Sequence, residues 1–333
     1  MEKVGTTGDC RALTDSRNRV IEYLRLSVTD RCNLHCAYCM PGKCDYERQN
    51  ELLSWGEMEY ICRMLSEEGL KKIKITGGEP LLREGVSEFI GVLKKIPRIS
   101  SVTLTTNGQL LSDYLPKLKE AGVDGVNVSV DSLKPEVYKT ITGSEGLNRV
   151  LEAVYACSDA GIRTKINCVT MEGVNRSEAA DFALIAKDRS IDVRFIEMMP
   201  MGAGCLFKPV TGGQILEDLR KRFDLRPTGE TRGNGPAVYY SAEGFQGRIG
   251  FINAVSCGFC ESCNRMRITA GGKLQLCLAH SCGIDIKELL RSGLSREEIV
   301  LKIREAVFKK PAGHDFSAAK HESSDSMMWR IGG

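Results

Sequence analysis

From about Val20 to Met199, short β-branched runs alternate with longer amphipathic stretches at the intervals of repeated strand-helix units. The short runs predict strands over residues 21–28, 72–75, 102–105, 125–130, 164–169 and 192–198. Between them the apolar spacing predicts helices over residues 57–68, 85–95, 147–159 and 177–186, with Gly69, Gly122 and Gly161 as C-terminal stops. Strands joined through helices run parallel with right-handed crossovers. Six such strands stop short of the eight that close a barrel, so the expected fold is α/β, an incomplete (βα)6 TIM-type barrel.

The pattern changes after Pro227. TGETRGNGP is polar and glycine-rich, and the residues beyond it bring short strand-like runs and a second group of cysteines. Two units are predicted, residues 1–227 and residues 228–333. A chain of 333 residues with 42% apolar content can bury a substantial core. Its 46 Lys and Arg nearly balance 43 Asp and Glu, and a net charge of +3 gives no reason to invoke nucleic acid or an anionic membrane. Any strongly basic site must therefore be local. No stretch approaches the ~20 apolar residues of a membrane span, and the N-terminus carries charges where a signal peptide would be apolar. A cytoplasmic location is expected, where the 14 cysteines are thiols available to metals rather than disulfides.

The run RLSVTDRCNLHCAYCMP follows the first strand and places Cys32, Cys36 and Cys39 in one loop as C-x3-C-x2-C. A cubane iron–sulfur cluster takes one cysteine on each iron, so three thiolates leave one iron open to a substrate or cofactor. A structural zinc site lacking one ligand is the plainer alternative. Zinc knuckles usually pair C-x2-C motifs or add histidines, and the one nearby histidine, His35, sits between two of the cysteines. Polar motifs close the next three strands, with ITGGEP at 75–80, TTNG at 105–108 and SVDS at 129–132. These are the C-terminal strand ends at which barrel active sites form.

Taken in order, the motifs resemble the radical S-adenosylmethionine (SAM) superfamily, whose hallmark is this cysteine loop with an aromatic residue before the last cysteine. Tyr38 fills that place. The resemblance implies a 4Fe–4S cluster on Cys32, Cys36 and Cys39, with SAM bound at its open iron. It also implies a SAM site lined by Tyr38, Gly78, Ser129 and Met199, the last lying within RFIEMMPMG. Read alone, Met199 would be core packing.

CESCNRMR followed by a later cysteine gives Cys260, Cys263 and Cys277, C-x2-C-x13-C, and again three thiolates. Cys257 and Cys282 leave a fourth ligand open, which would turn this group into a closed electron-transfer cluster. Arg265 and Arg267 carry guanidinium forks suited to phosphate oxygens, whereas an arbitrary Arg-x-Arg is usually a solvated pair. CxxCNRxR with a third cysteine resembles the C-terminal cluster of the GTP 3′,8-cyclase (molybdenum cofactor biosynthesis protein A) family, where the open iron contacts guanine.

That resemblance implies GTP contacts at Arg25, Lys72, Lys74, Thr105, Lys165 and Arg194 as well as Arg265 and Arg267. A triphosphate in a nearly neutral protein needs such a local concentration of cations. Lys74 stands where the family commonly has arginine, which keeps the charge and loses the bidentate fork. Gly332 and Gly333 of the terminal WRIGG would by composition be frayed chain. The family resemblance implies instead a tail that reaches into the active site, a path that residues without side chains permit.

Over its whole extent, Arg25 to Gly333, the resemblance implies a radical SAM lyase with two 4Fe–4S clusters, the second in a C-terminal iron–sulfur cluster domain. In that family the reduced first cluster cleaves SAM, the 5′-deoxyadenosyl radical takes hydrogen from C3′ of GTP, and the ribose radical attacks C8 of guanine. The product, 3′,8-cyclo-7,8-dihydro-GTP, begins molybdenum cofactor (molybdopterin) biosynthesis. The same resemblance implies flavodoxin or ferredoxin as electron donor and cyclic pyranopterin monophosphate synthase as the next enzyme; a homodimer stays open. Two alternatives stand beside it. A radical SAM enzyme that modifies peptides or proteins would carry closed auxiliary clusters and fewer convergent cations, and a non-catalytic metal-binding or electron-carrier protein would cleave no SAM.

Overall fold

The computed structural model describes residues 12–40, 42, 46–229, 233, 235–314, 316 and 327–332; Cys10, Cys44 and Gly333 lie outside the described residues. All six expected strands form: β1 (Tyr23–Ser27), β2 (Lys72–Thr76), β3 (Ser101–Thr106), β4 (Gly125–Ser129), β5 (Thr164–Thr170) and β6 (Ile191–Glu197). They lie side by side in chain order, each parallel to the next. The crossovers carry α1 (Trp55–Glu67), α2 (Val86–Lys94), α3 (Leu111–Glu120), α4 (Pro135–Thr142), α5 (Leu147–Asp159) and α6 (Ala179–Asp188). α1 begins two residues before its expected start because Ser54 caps it, accepting from the Glu57 amide while the Glu57 carboxylate accepts from the Ser54 amide. Past α1, α3 and α5 the chain turns through Gly69, Gly122 and Gly161 at φ of 95°, 72° and 78°.

After α7 (Gly212–Arg220) come β7 (Arg226–Pro227), β8 (Val238–Ser241), β9 (Ile249–Ile252), β10 (Arg265–Ile268), β11 (Lys273–Gln275) and β12 (Gly283–Asp285), then α8 (Ile286–Arg291) and α9 (Arg296–Phe308). These strands continue the same sheet at both ends. β9 pairs parallel with β6, and β10 pairs parallel with β1. The order is therefore β12-β11-β10-β1-β2-β3-β4-β5-β6-β9-β8-β7, an open sheet with eight parallel strands at its centre. No helix among the described residues is long and apolar enough to cross a membrane.

Alternation along the strands fixes what each face does. Leu24, Leu26, Ile73, Ile75, Val102, Leu104, Val126 and Val128 are buried in one core with helix residues such as Ile61, Phe89, Val150 and Phe182. The intervening residues are polar, and the strand register sets them in rows. Arg25 lies opposite Arg267 on one side and Lys74 on the other, Thr105 opposite Asn127, and Asn127 opposite Lys165. The inner face of the sheet thus presents these polar side chains to a cavity, and apolar burial against the helices holds that face in place.

Candidate active site

The first three cysteines leave the end of β1 on a loop that backbone bonds fix. The His35 and Ala37 amides donate to the carbonyls of Thr142 (3.1 Å) and Ile141 (2.8 Å) at the end of α4, and Cys36 O accepts from the Cys39 (2.9 Å) and Met40 (2.8 Å) amides. The glycine pair after β2 lies against the start of this loop, with Gly78 donating to Thr29 O and Glu79 to Arg31 O, each at 2.7 Å. A Cβ on Gly78 would fall 2.4 Å from Arg31 O, so the approach excludes any side chain. Cys32, Cys36, Cys39, Tyr38, Gly78, Ser129 and Met199 all line one cavity of about 330 Å³. Burial pushes the Cys32 thiol up to about 11, and burial together with Asp131, Cys39 and Cys32 holds Cys36 well above the usual range. Cationic iron would supply the compensation that these thiolates lack.

Two buried carboxyls that the motif reading left without a role organise this end. Glu79 accepts from Leu81 N, Thr106 Oγ1 and Asn107 N at 2.7–3.0 Å, tying the second strand end to the third. Asn107 in turn donates to Cys32 Sγ at 3.7 Å. Asp131 accepts from Tyr38 Oη (2.7 Å) and Val169 N (2.8 Å), pinning the cysteine loop to β5. Burial raises Glu79 to about 7 and Asp131 to about 6.

An acid raised on folding favours its protonated form in the native state, so stability is lost as pH rises from the unfolded to the folded pKa. For Asp131 that window runs from 3.8 to about 6. Asp131→Asn keeps both hydrogen bonds, since the amide oxygen accepts from Val169 and the amide nitrogen donates to Tyr38. Chemical denaturation of the metal-free protein should show the wild type losing roughly 3 kcal/mol relative to Asp131→Asn across that window. Parallel pH profiles for the two proteins would refute this account.

The cavity's other wall is cationic. Arg25, Lys74, Arg194, Arg265 and Arg267 line it together with Thr105. Burial depresses Lys74 well below the ordinary lysine range, and Arg194, Arg25, Lys165 and Arg265 push in the same direction. Burial and the charges of Arg25 and Arg265 likewise lower Arg267. Arg194 is held by Asn167 Oδ1 and Asn127 Oδ1 (2.7 Å), and Gly250 makes room for it, since a Cβ there would sit 2.9 Å from Arg194 Cγ. Lys72 and Lys165 are not among the lining residues. Lys165 pairs with Asp192 at 3.0 Å and donates to Tyr239 Oη at 3.0 Å.

Cys260, Cys263 and Cys277 line the same cavity, whereas Cys257 is exposed and neither it nor Cys282 is part of the lining. Burial works against ionising Cys263, but Arg265 and Lys310 outweigh it and lower its pKa. The described part of the tail enters between the first two strand ends. Gly332 sits at φ 72°, where a Cβ would lie 2.6 Å from Thr76 Oγ1 and 3.0 Å from Ser27 Cβ. Its carbonyl accepts from Arg267 Nη1 (2.9 Å) and Arg25 Nη2 (3.4 Å). Of the remaining described cysteines, Cys62, Cys157 and Cys168 are buried and Cys205 is exposed.

Two triads of thiols in one cavity fit iron–sulfur clusters, which prefer cysteine donors. Thr76 Oγ1 and both ring nitrogens of His314 are buried in its wall without hydrogen-bond partners among the described residues, as expected of groups that meet a polar ligand.

The Radical SAM superfamily model matches residues 26–185, and the Molybdenum Cofactor Synthesis C model matches residues 191–316. A GTP 3′,8-cyclase from Clostridium perfringens (strain 13 / Type A) is 42% identical over 323 residues, covering 96% of this chain and 100% of that protein. The chain belongs to the GTP 3′,8-cyclase family of radical SAM enzymes. A further GTP 3′,8-cyclase, from Syntrophomonas wolfei, is 40% identical over 326 residues and covers 96% of this chain and its own full length. As a family member the protein is an enzyme that uses SAM and an iron–sulfur cluster. Streptococcus suis SuiB bound to S-adenosylmethionine superposes with a TM-score of 0.63 at 13% identity, covering 89% of this chain and 68% of SuiB. That likeness establishes the shared partial-barrel fold.

Proposed function

We propose that the protein is a lyase, a GTP 3′,8-cyclase with two 4Fe–4S clusters, that converts GTP to 3′,8-cyclo-7,8-dihydro-GTP at the first step of molybdenum cofactor biosynthesis. The observation that carries this reading is the joining of two cysteine triads in one cavity by a wall of five cations, of which Lys74, Arg194 and Arg267 are buried. Cys32, Cys36 and Cys39 hold the first cluster, and Tyr38, Gly78, Ser129 and Met199 form the SAM site beside it. Cys260, Cys263 and Cys277 hold the second. When bound and reduced, the first cluster and SAM supply the 5′-deoxyadenosyl radical that takes hydrogen from C3′ of GTP.

The chain's own residues position the substrate. Arg25, Lys74, Arg194, Arg265 and Arg267 receive the triphosphate and ribose, with Thr105 as a polar contact. Asn127 and Asn167 fix Arg194, and the Gly332 carbonyl orients Arg25 and Arg267, so little side-chain freedom is lost on binding. Lys165, tied to Asp192, and Lys72 act as more distant charges. Gly333, outside the described residues, is assigned with Gly332 to the tail that assists at the active site. A flavodoxin or ferredoxin supplies electrons, cyclic pyranopterin monophosphate synthase takes the product, and the enzyme works in the cytoplasm, as a monomer or a homodimer. The convergent cations and the family membership leave a peptide-modifying role unsupported.

The test is anaerobic reconstitution with dithionite, SAM and GTP, followed by mass spectrometry. Deoxyadenosine together with a GTP isomer is the expected result. Deoxyadenosine without the isomer would redirect the search to another substrate.

A further inference from the structure

A lysine outside every motif is built into the second cysteine triad. Lys310 follows α9, its amide donating to Val307 O at 2.9 Å, and the residue is only 5% exposed. Its ammonium donates to Arg265 O at 2.9 Å and also to Leu276 O. Among the described residues no carboxylate pairs with it, and the groups that electrostatically favour its charged form are Cys263 and Cys277. An ammonium buried without an acidic partner is costly unless other groups satisfy it.

The backbone shows what those two carbonyls have in common. β10 and β11 are antiparallel, and their ladder covers Arg267 opposite Gln275 and Ile268 opposite Leu274. Beyond the Arg267–Gln275 pair the ladder stops, one strand running back to Cys263 and the other on to Cys277. Lys310 Nζ bonds one carbonyl on each side of the gap. The same short segment also meets the remaining cysteine. Arg19 donates to Cys260 O (2.6 Å), Pro311 O (2.6 Å) and Ala312 O (3.0 Å), and a Cβ on Gly313 would lie 3.6 Å from Cys260 Sγ.

We propose that Lys310 is a positioning residue for the second cluster, its ammonium stitching the parted ends of β10 and β11 so that Cys263 and Cys277 converge on one cluster. Its charge also offsets the thiolates and stabilises the reduced cluster. This inference rests on the two-cluster reading. Residues behind metal ligands typically alter metal retention by about 10–100-fold when removed.

The experiment compares anaerobically reconstituted wild type, Lys310→Met and Lys310→Arg. Iron and sulfide content, the rate of iron loss to a chelator and the midpoint potential of the GTP-responsive EPR signal are measured. In Lys310→Met, release of second-cluster iron should be at least about tenfold faster. Its midpoint should be more negative, while first-cluster iron and reductive SAM cleavage stay. Lys310→Arg, which keeps the charge, should restore the midpoint. Wild-type retention and potential in Lys310→Met would overturn the proposal. So would a Lys310→Arg protein as defective as Lys310→Met, or loss of all iron in both variants. Wild type holding iron for a single cluster would instead remove the two-cluster reading itself, before Lys310 is in question.

Discussion

Arg267→Ala should lower GTP cyclisation by about 10²–10³-fold, the scale of removing one preorganised charged donor from a closed site, and leave reductive SAM cleavage running. Arg267 sits on β10 opposite Arg25, is 9% exposed, and already spends one N–H on the Gly332 carbonyl. Its loss would therefore remove the proposed phosphate fork and leave the Gly332 carbonyl with only the 3.4 Å bond from Arg25. In the proposed arrangement SAM meets other residues, Tyr38, Gly78, Ser129 and Met199. Substrate held out of line should then give deoxyadenosine without cyclised product, because a small misplacement of the reacting atom is costly. Arg267→Lys should fall between the two, since it keeps charge and loses the planar fork. Side-by-side rates of deoxyadenosine and cyclic product settle the matter. Equal loss of both would mean that Arg267 serves SAM or the fold instead of GTP.

Much of this site was legible because strand ends are local. GGEP directly follows β2, TTNG and SVDS overlap the ends of β3 and β4, and the cysteine loop begins within five residues of β1; a parallel sheet with its strands in chain order brings such ends together without further information. Strand alternation was equally readable as a face. What alternation leaves undetermined is depth along the strand. Lys72 and Lys74 share a face, yet two residues displace a side chain by about 6.6 Å, and only Lys74 lines the cavity. The same holds for Lys165, whose neighbour two positions on, Asn167, lines it instead.

Long-range partners were the other blind spot. Asp131 belongs to a quoted motif, but nothing near it in sequence announces that its carboxylate takes the Tyr38 hydroxyl from 93 residues away. Arg19 reaches Cys260 across 241 residues. β9 and β10 are four residues each, and RMRI in particular reads as a basic patch; it becomes a strand because β1 offers it an open parallel edge. Pairing energy from the sheet, rather than local propensity, decides such short segments.

Cys36→Ala should abolish deoxyadenosine formation altogether and remove half of the bound iron, while GTP binding persists. Cys36 is the middle thiol of its triad, and both Cys39 and Cys32 oppose its ionisation, after burial and Asp131. Two cysteines cannot hold a cubane that already leaves one iron without a protein ligand. The loss is one of chemistry rather than of folding, because the loop is fixed by main-chain bonds. Cys36 contributes its carbonyl to the Cys39 and Met40 amides, and the flanking His35 and Ala37 amides bind the end of α4. Alanine keeps every one of those bonds. The second triad comes from a distant part of the chain and the cationic side chains stand on strand backbone outside the cysteine loop, so calorimetric titration of GTP into Cys36→Ala should give an affinity close to wild type. Cys260→Ala should do the converse, retaining deoxyadenosine formation while weakening GTP and losing the other half of the iron. If Cys260→Ala also stopped SAM cleavage, the division of labour between the two triads would be wrong. If Cys36→Ala still produced deoxyadenosine, the cluster that cleaves SAM would have to lie elsewhere.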